Sequence, residues 1–492
     1  MTVTAAPRYE EDTTAAENFR ELKSDHKQVS FDARLEAADQ NNRFMRKRQG
    51  LGGTGDSQIP EWDLWFTREI SRHMHMNDSL PAQATRRLVD SVIPSPYRLE
   101  PMTGDDALNQ DLLGMWEEVS GTKDFDFYGE RTFNELSWLA EYQNVQDGEV
   151  FGLLVDSGPF GQVQMLEAER CTSPTIEYSP IATENVMKHQ DNTVAGVRFD
   201  RNGVAVSYFF TKRAGSSDMH YTVDRSDVKE WPIFDESGTR VVLHRYDTTR
   251  ISQHRGVTLW AAVMAEQGMI DDIEFATLLK EQTAAAIVGV WKKEVGAPAG
   301  PPPDIGPKEN KTDPDGNTTT ETTIKAGTIV RPPAGMELAN FAPIVPSTEQ
   351  MKHLDHHLKK IGAAIDIPRV MLLLDASETN FSGYRGAINT SRQSWKRRQK
   401  NLTGQWHSPT YVWQIRRMIP KLGRAAVSNP DLFKHKFIAP RWDYIQPRED
   451  VEADALTLEH RLKSPRGLHA ANGDDFDQVR DETLDRDWET FS

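Results

Sequence analysis

The chain has 492 residues, a length that accommodates about three domains of ordinary size. Hydrophobic residues make up 37% of it, which excludes a chain that is disordered by composition, and no run approaches the roughly 18 apolar residues of a membrane span. The net charge of −16 disfavours a protein that grips DNA through many Lys and Arg contacts, whereas it suits a surface past which a duplex slides.

The first third of the chain has a helical pattern after a polar start. Residues 1–60 are polar and interrupted by glycine, and we interpret them as an N-terminal arm. From Trp62 to Trp138 apolar residues recur at helical spacing, with Ala84, Leu88 and Val92 on one face. This region therefore predicts amphipathic helices.

The middle of the chain changes to a period of two, which is typical of strands. Within Val150–Leu243 the alternation is clearest at Val204–Phe210. Asn202-Gly203 lies between that run and Val197–Asp200, a position that favours a hairpin turn. We therefore predict a mainly antiparallel sheet, with helices N-terminal to it, in an α+β chain.

Two long helices are predicted on either side of a segment of different composition. Gly256–Val290 is weakly charged and rich in Ala, Leu, Met and Ile, which predicts the first helix. Residues 296–323 are dominated by Pro, Gly, Asn and Thr, which predicts an exposed loop or a segment ordered by a partner. A short strand at Thr328–Val330 and a second helix at Thr348–Ile365, ended by Pro368, are predicted to follow.

Charge is segregated in the C-terminal third. No acidic residue occurs between Glu378 and Asp431, whereas ten basic residues do. The ten are Arg385, Arg392, Lys396, Arg397, Arg398, Lys400, Arg416, Arg417, Lys421 and Arg424. Two interpretations stay open: contact with DNA through Arg385 and Arg392, or, for most of the segment, pairing between subunits with acidic surfaces. In the second interpretation the interleaved tryptophans, Trp395, Trp406 and Trp413, pack as core.

Motifs for catalysis are missing from the sequence. It contains neither G-x-x-x-x-G-K-[ST], which an ATP-hydrolysing motor needs, nor G-x-S-x-G. Cys171 is the single cysteine and lacks a nucleophile signature, and one thiol fits assembly in a reducing cytoplasm. We therefore predict no catalytic residue and no cofactor.

The histidines do not predict a metal site. His353, His356 and His357 have helical spacing, but H-x-x-H-H lacks the Glu of H-E-x-x-H, and no third ligand is placed nearby. A structural or inter-subunit role is favoured for them. His73 and His75 are predicted to be surface residues.

Several separate segments, in the expected order, resemble the lambda family of phage portal proteins. They are Arg87–Ile93, Tyr97–Pro101, Gly148–Phe151, Gln164–Arg170, Val194–Asp200, Val242–His244 with Arg250–Val257, Asn380–Arg385 and Gln446–Glu449. Phe381, Gly383 and Gln446 depart from the family pattern, which leaves the local packing there open. Within the strongest segment, His244, Gln253, Arg255 and Gly256 are assigned structural roles, and His244 is expected to be buried and hydrogen-bonded.

The resemblance implies a homo-oligomeric ring of twelve subunits at one capsid vertex, each with the portal fold: an α/β wing, a helical stem, a small α/β clip and a mostly helical C-terminal crown. It divides the chain into 1–60 (N-terminal arm), 61–255 (first part of the wing), 256–290 (first stem helix), 291–345 (clip), 346–367 (second stem helix), 368–385 (tunnel loop), 386–445 (long helix and second part of the wing) and 446–492 (crown).

The resemblance also implies where DNA passes. The residues expected to meet phosphates without reading bases are Asn380, Ser382, Tyr384, Arg385 and Arg392. Asp271, Asp272 and Glu274 are charged exceptions in the first stem helix, and they are expected either to face the lumen or to pair with basic residues of a neighbouring subunit.

The implied partners are further copies of the chain, double-stranded DNA without sequence preference, the terminase large subunit, a head–tail adaptor, and the major capsid and scaffold proteins, but no membrane. The implied location is the portal vertex of the virion after assembly in the host cytoplasm. Two alternatives are a nucleic-acid-processing enzyme, which needs a carboxylate cluster for Mg²⁺, and another structural head–tail connector protein.

Overall fold

The structure is a computed structural model that describes most of the chain. The described residues are 59–174, 192–211, 228–286, 290–293, 308–312, 318–322, 336–339, 348–375, 377, 380–472, 476, 479–480 and 483. All of them belong to Gly55–Ser492, the larger of the two units into which the chain divides. The predicted N-terminal arm, the strand at Thr328–Val330 and much of the predicted clip lie outside the described residues.

Helices dominate the described part of the chain. The α-helices are Glu61–Asn77 (α1), Ser79–Val92 (α2), Asp106–Gly121 (α3), Phe133–Asp147 (α4), Met264–Ala286 (α5), Thr348–Ala364 (α6), Arg369–Leu373 (α7), Phe381–Leu402 (α8), Ser408–Met418 (α9), Arg424–Val427 (α10), Pro447–Glu459 (α11) and Pro465–Asn472 (α12). A π-helical turn, Thr403–His407, joins α8 to α9, and short 3-10 helices include Leu259–Ala262 before α5.

The strands form small antiparallel sheets. They are Arg98–Pro101 (β1), Glu149–Val155 (β2), Gln162–Leu166 (β3), Thr193–Val194 (β4), Val197–Phe199 (β5), Ala205–Thr211 (β6), Val228–Pro232 (β7), Val242–Tyr246 (β8), Val290–Lys293 (β9), Lys308–Thr312 (β10), Thr318–Thr322 (β11), Met336–Ala339 (β12) and His435–Ile438 (β13). The strand orders are β3-β2-β8, β4-β5-β6-β7, β1-β13, β12-β9 and β10-β11.

These elements confirm the predicted helices before the middle of the chain and the predicted strands within it, but residues 296–323, predicted as an exposed loop, contain the antiparallel pair β10–β11. Ala84, Leu88 and Val92 are fully buried along one face of α2, as their spacing predicted. The predicted hairpin joins β5 to β6, and Gly203 in its turn has a φ of +79°, a conformation that glycine adopts without steric cost. The chain is therefore a mixed helix-and-sheet protein with small antiparallel sheets.

The apolar side chains of the described residues gather in three clusters. The first lies around Trp116, Trp406 and Tyr411, and it joins α3, α4 and α9 to the sheet of β2, β3 and β8. The second lies around Trp260 and Trp395, and it joins α2, α6 and α8. The third is formed by the strands of the two larger sheets. Helix α8, the π-helical turn and α9 contribute side chains to the first two clusters. They therefore connect the C-terminal half of the chain to the N-terminal half.

The two predicted long helices are present with changed bounds. The first begins at Met264 rather than directly after Gly256, because the preceding residues form a 3-10 helix that buries Trp260. The second, α6, matches its prediction closely and packs against α5, where Lys360 pairs with Glu266.

The segment predicted as a tunnel loop, residues 368–385, is partly helical. A short helix, α7, occupies Arg369–Leu373, and α8 begins at Phe381. The Asn380 side chain accepts a hydrogen bond from the Gly383 backbone N–H (2.7 Å) and so caps α8. Ser382, Tyr384 and Arg385 therefore lie in the first helical turns rather than in a loop, because the cap starts the helix five residues earlier than its polar composition suggested.

Candidate functional site

The most densely connected group of side chains surrounds the buried carboxylate of Glu149, at the start of β2. One carboxylate oxygen accepts hydrogen bonds from Arg68 and from Arg255, whose Nε lies 2.7 Å away. The other accepts from His244 Nε2 (2.9 Å) and from the Gly256 backbone N–H (2.7 Å). These four partners come from three other parts of the chain, so Glu149 joins α1, β8 and the segment before α5.

Close backbone contact explains the glycines at this site. Gly148 ends α4 with a φ of +91°, which glycine accommodates and other residues rarely adopt. A Cβ at Gly256 would lie 2.0 Å from the Gly148 carbonyl oxygen, well inside van der Waals contact. The two glycines therefore let the segment before α5 pass directly over the turn that leads into β2.

Arg255 extends the site to the neighbouring sheet through backbone carbonyls. Its guanidinium donates to the carbonyl oxygens of Cys171 (3.1 Å), Ala168 (3.0 Å) and Ala195. The Gln253 side-chain amide donates to the Arg255 carbonyl oxygen (2.9 Å). The structure thus brings the four predicted motif residues, His244, Gln253, Arg255 and Gly256, to one place.

The charge states in the site follow from burial and from the paired groups. Burial by itself would raise the pKa of Glu149, but Arg255 and Arg68 outweigh burial and hold that pKa far below its ordinary value. Burial lowers the pKa of His244 to about 4, although Glu149 opposes the shift. Glu149 is therefore ionised and His244 neutral near pH 7, with His244 Nδ1 accepting from the Tyr208 hydroxyl (3.0 Å).

A second buried ion network lies on the other side of β8. Arg245 is fully buried and donates to Glu141 (2.9 Å) and to Asp247 (2.9 Å). Arg398 of α8 donates to the same two carboxylates, each at 3.1 Å. The Gln405 side-chain oxygen, in the π-helical turn, accepts from Arg245 (3.2 Å). This network fixes the long helix of the C-terminal half against the N-terminal sheet.

Three arginines of the basic segment pair with acidic residues of their own chain. Arg385 donates to Asp450 (2.8 Å) and Gln446 (2.6 Å), and Arg417 pairs with Asp156. Arg398 belongs to the second buried network. Trp395, Trp406 and Trp413 are buried, as one of the two interpretations required. These three arginines therefore have carboxylate partners within the same subunit, and pairing between subunits stays a prediction for the rest of the segment.

The residues predicted to contact DNA lie at the start of α8 and about two turns further along the same helix. Ser382 is exposed, while Tyr384 and Arg385 are half-buried in the first turns of α8. Arg392, two turns further along, donates to the Asp443 carbonyl oxygen (3.1 Å) and lies over the Trp442 ring. The three predicted stem residues, Asp271, Asp272 and Glu274, are exposed on α5.

His75 corrects one sequence prediction, because it is buried rather than on the surface. Its ring lies between α1 and α2, where Nδ1 contacts the Ser71 carbonyl oxygen and Nε2 contacts the Thr85 hydroxyl, both at 2.7 Å. Its helical position did not reveal which face of α1 the neighbouring helix covers. Within the described ranges, no group of three or more His, Cys, Asp or Glu residues is arranged to hold a metal ion.

Sequence reasoning missed the centre of the site. Glu149, Arg68, Glu141 and Arg245 were not singled out, although Glu149 stands in one of the quoted family segments. The available signal was a carboxylate at the start of an otherwise apolar strand, a position where a charge must be paired if it is buried. All of these charges are buried and mutually satisfied, which is the arrangement of a group that stabilises a fold rather than one that turns over a substrate.

Comparison with known families identifies the chain. The model of the phage portal protein, lambda family, matches residues 41–399. The chain therefore belongs to the lambda family of phage portal proteins, as the sequence segments indicated. It is a portal protein, a structural head–tail connector and not an enzyme.

Solved structures and curated proteins were compared as well. The chain is similar to chains in the virion of a native gene transfer agent particle (12% identity, TM-score 0.41), the neck of the native particle computed with C12 symmetry (11%, 0.44) and the neck of the empty particle computed with C6 symmetry (12%, 0.46). Each similarity covers 83% of this chain and 93% of the other. No curated protein matches the chain.

Removing the charge at the centre of the site tests its structural role. Glu149→Gln leaves the buried guanidinium groups of Arg68 and Arg255 without a carboxylate, so we expect a loss of about 3–5 kcal/mol in stability. Thermal unfolding of the purified full chain measures the loss. Glu117→Gln, an exposed change on α3, is the matched control and should alter stability by less than about 0.5 kcal/mol. Equal melting temperatures for the two variants would contradict the central role of Glu149.

Buried neutral histidine predicts how stability depends on pH. Burial among aromatic rings lowers the pKa of His407 from 6.5 to about 3, so on acidification the unfolded chain takes up a proton that the folded chain does not. Stability is therefore lost as the pH falls below 6.5, and His407 contributes about 2 kcal/mol of loss between pH 7.5 and 5. His407→Gln should show a correspondingly smaller difference in melting temperature between those two pH values.

The control for that experiment is His73→Gln, which removes an exposed histidine from α1. It should keep the pH dependence of the wild type. A His407→Gln variant with an unchanged pH dependence would show that His407 is protonated in the folded protein, against the expectation from its burial.

Proposed function

We propose that copies of this portal protein close into a ring, with twelve as the number that the family resemblance implies, at a single capsid vertex. Double-stranded DNA would pass through its centre during packaging and ejection. In this proposal α5 and α6 are the stem, residues 291–345 are the clip, the sheets and their helices are the wing, and α11 and α12 belong to the crown.

The observation that carries the proposal is the exposed apolar surface of α5. Phe275 is 69% exposed, and Leu278 and Leu279 are each 52% exposed, on a helix of 23 residues. Residues at this spacing share a helix face, and a contiguous exposed apolar face of this kind marks a contact surface. A helix in a ring has neighbours on most sides, so copies of the same chain would cover these side chains.

The proposed ring also gives a role to three acidic residues of α5. Asp271, Asp272 and Glu274 are exposed close to the apolar face. We propose that they face the lumen as repeated rings of negative charge or pair with basic residues of the next subunit. A negatively charged lumen would let DNA slide, because it makes no phosphate contacts that must be broken.

Contacts with the moving duplex are proposed at the start of α8. Asn380, Ser382, Tyr384, Arg385 and Arg392 are the candidates. Arg385 retains 37% exposure of its side chain while it is paired with Asp450, so phosphate contact there would compete with an existing ion pair. Such competition fits brief, non-specific contacts rather than tight binding.

The proposed partners follow from the same position in the particle. The terminase large subunit would dock on the clip during packaging, and a head–tail adaptor would replace it afterwards. The major capsid and scaffold proteins would surround the wing at the vertex of the virion, with assembly in the host cytoplasm. In the part of the chain that the structure covers, no helix has the length and apolar character needed to cross a membrane.

A charge placed on the apolar face of α5 tests the ring. Leu278→Glu would bury a carboxylate without a partner in the contact between subunits, so we expect subunits or small oligomers instead of rings. Mass photometry of the purified full chain measures the distribution. Leu462→Glu, which changes a leucine that is 76% exposed outside the stem, is the matched control and should still form rings.

If Leu278→Glu assembled into rings as well as the wild type does, α5 would not be the contact between subunits. Circular dichroism of both variants establishes that any loss of rings does not come from unfolding.

A further inference from the structure

A groove of about 1210 Å³ separates α8 and the start of the π-helical turn from the segment that runs from β13 to α12. Seven basic residues and three acidic residues line it. The acidic residues are Asp443, Asp450 and Asp454. In a chain with a net charge of −16, this excess of positive charge in one concave surface is unusual.

The acidic residues of the groove engage only some of its basic residues. Asp450 accepts from Arg385 (2.8 Å), and Asp454 accepts from Lys463 (3.0 Å) and pairs with Arg441 (3.6 Å). Within the described residues, Lys396, Lys400 and Lys436 form no salt bridge, and Arg392 donates to the Asp443 backbone rather than to a carboxylate.

Aromatic rings hold part of this charge in place without neutralising it. The Arg392 guanidinium lies 5.4 Å from the centre of the Trp442 ring, and the Lys396 ammonium lies 6.0 Å from it. Cation–π contact orients a cation but leaves its charge available to an anion. The Nε atom of Arg392 is buried and has no hydrogen-bond acceptor among the described residues.

The spacing of the cations suits an extended polyanion. Arg392, Lys396 and Lys400 follow each other at intervals of four residues, so they form one row along α8 with a rise of about 6 Å between neighbours. Lys436 stands on the opposite wall, in β13. Both lysines of the row and Lys436 are exposed. Duplex DNA carries one negative charge for about every 1.7 Å of its axis, so several phosphates can lie along such a row.

We propose that this groove binds the phosphate backbone of double-stranded DNA and so extends the contact proposed at the start of α8, with which it shares Arg385 and Arg392. The proposal rests on the proposed function, because that function brings DNA to this chain. Exposed lysines are flexible point charges, which favour contact with phosphates over recognition of bases. Binding should therefore be independent of sequence and strongly dependent on salt.

Another polyanion has complementary charge, namely an acidic peptide. Residues 474–492 contain eight acidic and two basic residues. We favour DNA because the unpaired cations form a regular row of point charges and because the proposed function supplies a duplex. If the groove binds this acidic segment instead of DNA, the experiment below will show it.

The test compares two triple variants of the full chain with equal charge change. Lys396→Gln/Lys400→Gln/Lys436→Gln neutralises the groove, and Lys123→Gln/Lys229→Gln/Lys421→Gln neutralises exposed lysines elsewhere. Fluorescence anisotropy with a labelled duplex of about 30 base pairs is recorded between about 50 and 200 mM salt. The groove variant should bind about tenfold more weakly or worse, and its log–log salt slope should fall by about 3. The control should bind nearly as the wild type does.

Three results would overturn the proposal. They are absent binding of DNA by the wild type at low salt, equal weakening in both variants, and a groove variant that loses binding of a synthetic 474–492 peptide but not of DNA. Mass photometry on the same samples separates this proposal from the proposed function. Rings with groove-independent DNA binding reject only the groove, whereas groove-dependent binding without rings rejects only the ring.

Discussion

The fold depends on a single buried carboxylate. Glu149 lies where α4 ends and β2 begins, and it is satisfied only when α1, β8 and the segment before α5 are all in place. A buried charge of this kind is costly unless every partner is present, so it penalises arrangements in which one of those elements is displaced. The glycines on either side, Gly148 and Gly256, make the close approach possible. The segment that leads into α5 is therefore held against the start of β2.

The second network gives the long C-terminal helix a comparable anchor. Arg398 reaches Glu141 and Asp247, so α8 is held against the sheet by ion pairs as well as by Trp395 and Trp406. Together the two networks connect the N-terminal and C-terminal halves of the chain through buried ion pairs. By contrast, apolar side chains of α5 remain exposed within the subunit, which fits the proposal that other subunits contact this helix. The buried ion pairs that stabilise the subunit and the exposed apolar side chains of α5 thus lie in different elements.

The sequence predicted those features that depend on local pattern. The face of α2 formed by Ala84, Leu88 and Val92, the hairpin at Gly203 and the helix α6 follow from spacing, and the family follows from ordered segments. The long helix was predicted from Gly386 but begins at Phe381, because one capping residue, Asn380, decides where α8 starts. The partners of Glu149 and Arg398 could not be predicted, since they are distant in sequence and periodicity gives no information on which distant charges meet. His75 was misplaced for the same reason.

The most direct test of the portal assignment is electron cryomicroscopy of the purified full chain. The proposal predicts closed rings with a central channel, in which α5 and α6 surround the channel and Phe275, Leu278 and Leu279 lie between subunits. Rings in which α5 lies on the outside with these side chains in solvent would contradict it. So would a chain that stays monomeric when supplied with the scaffold protein of its own particle.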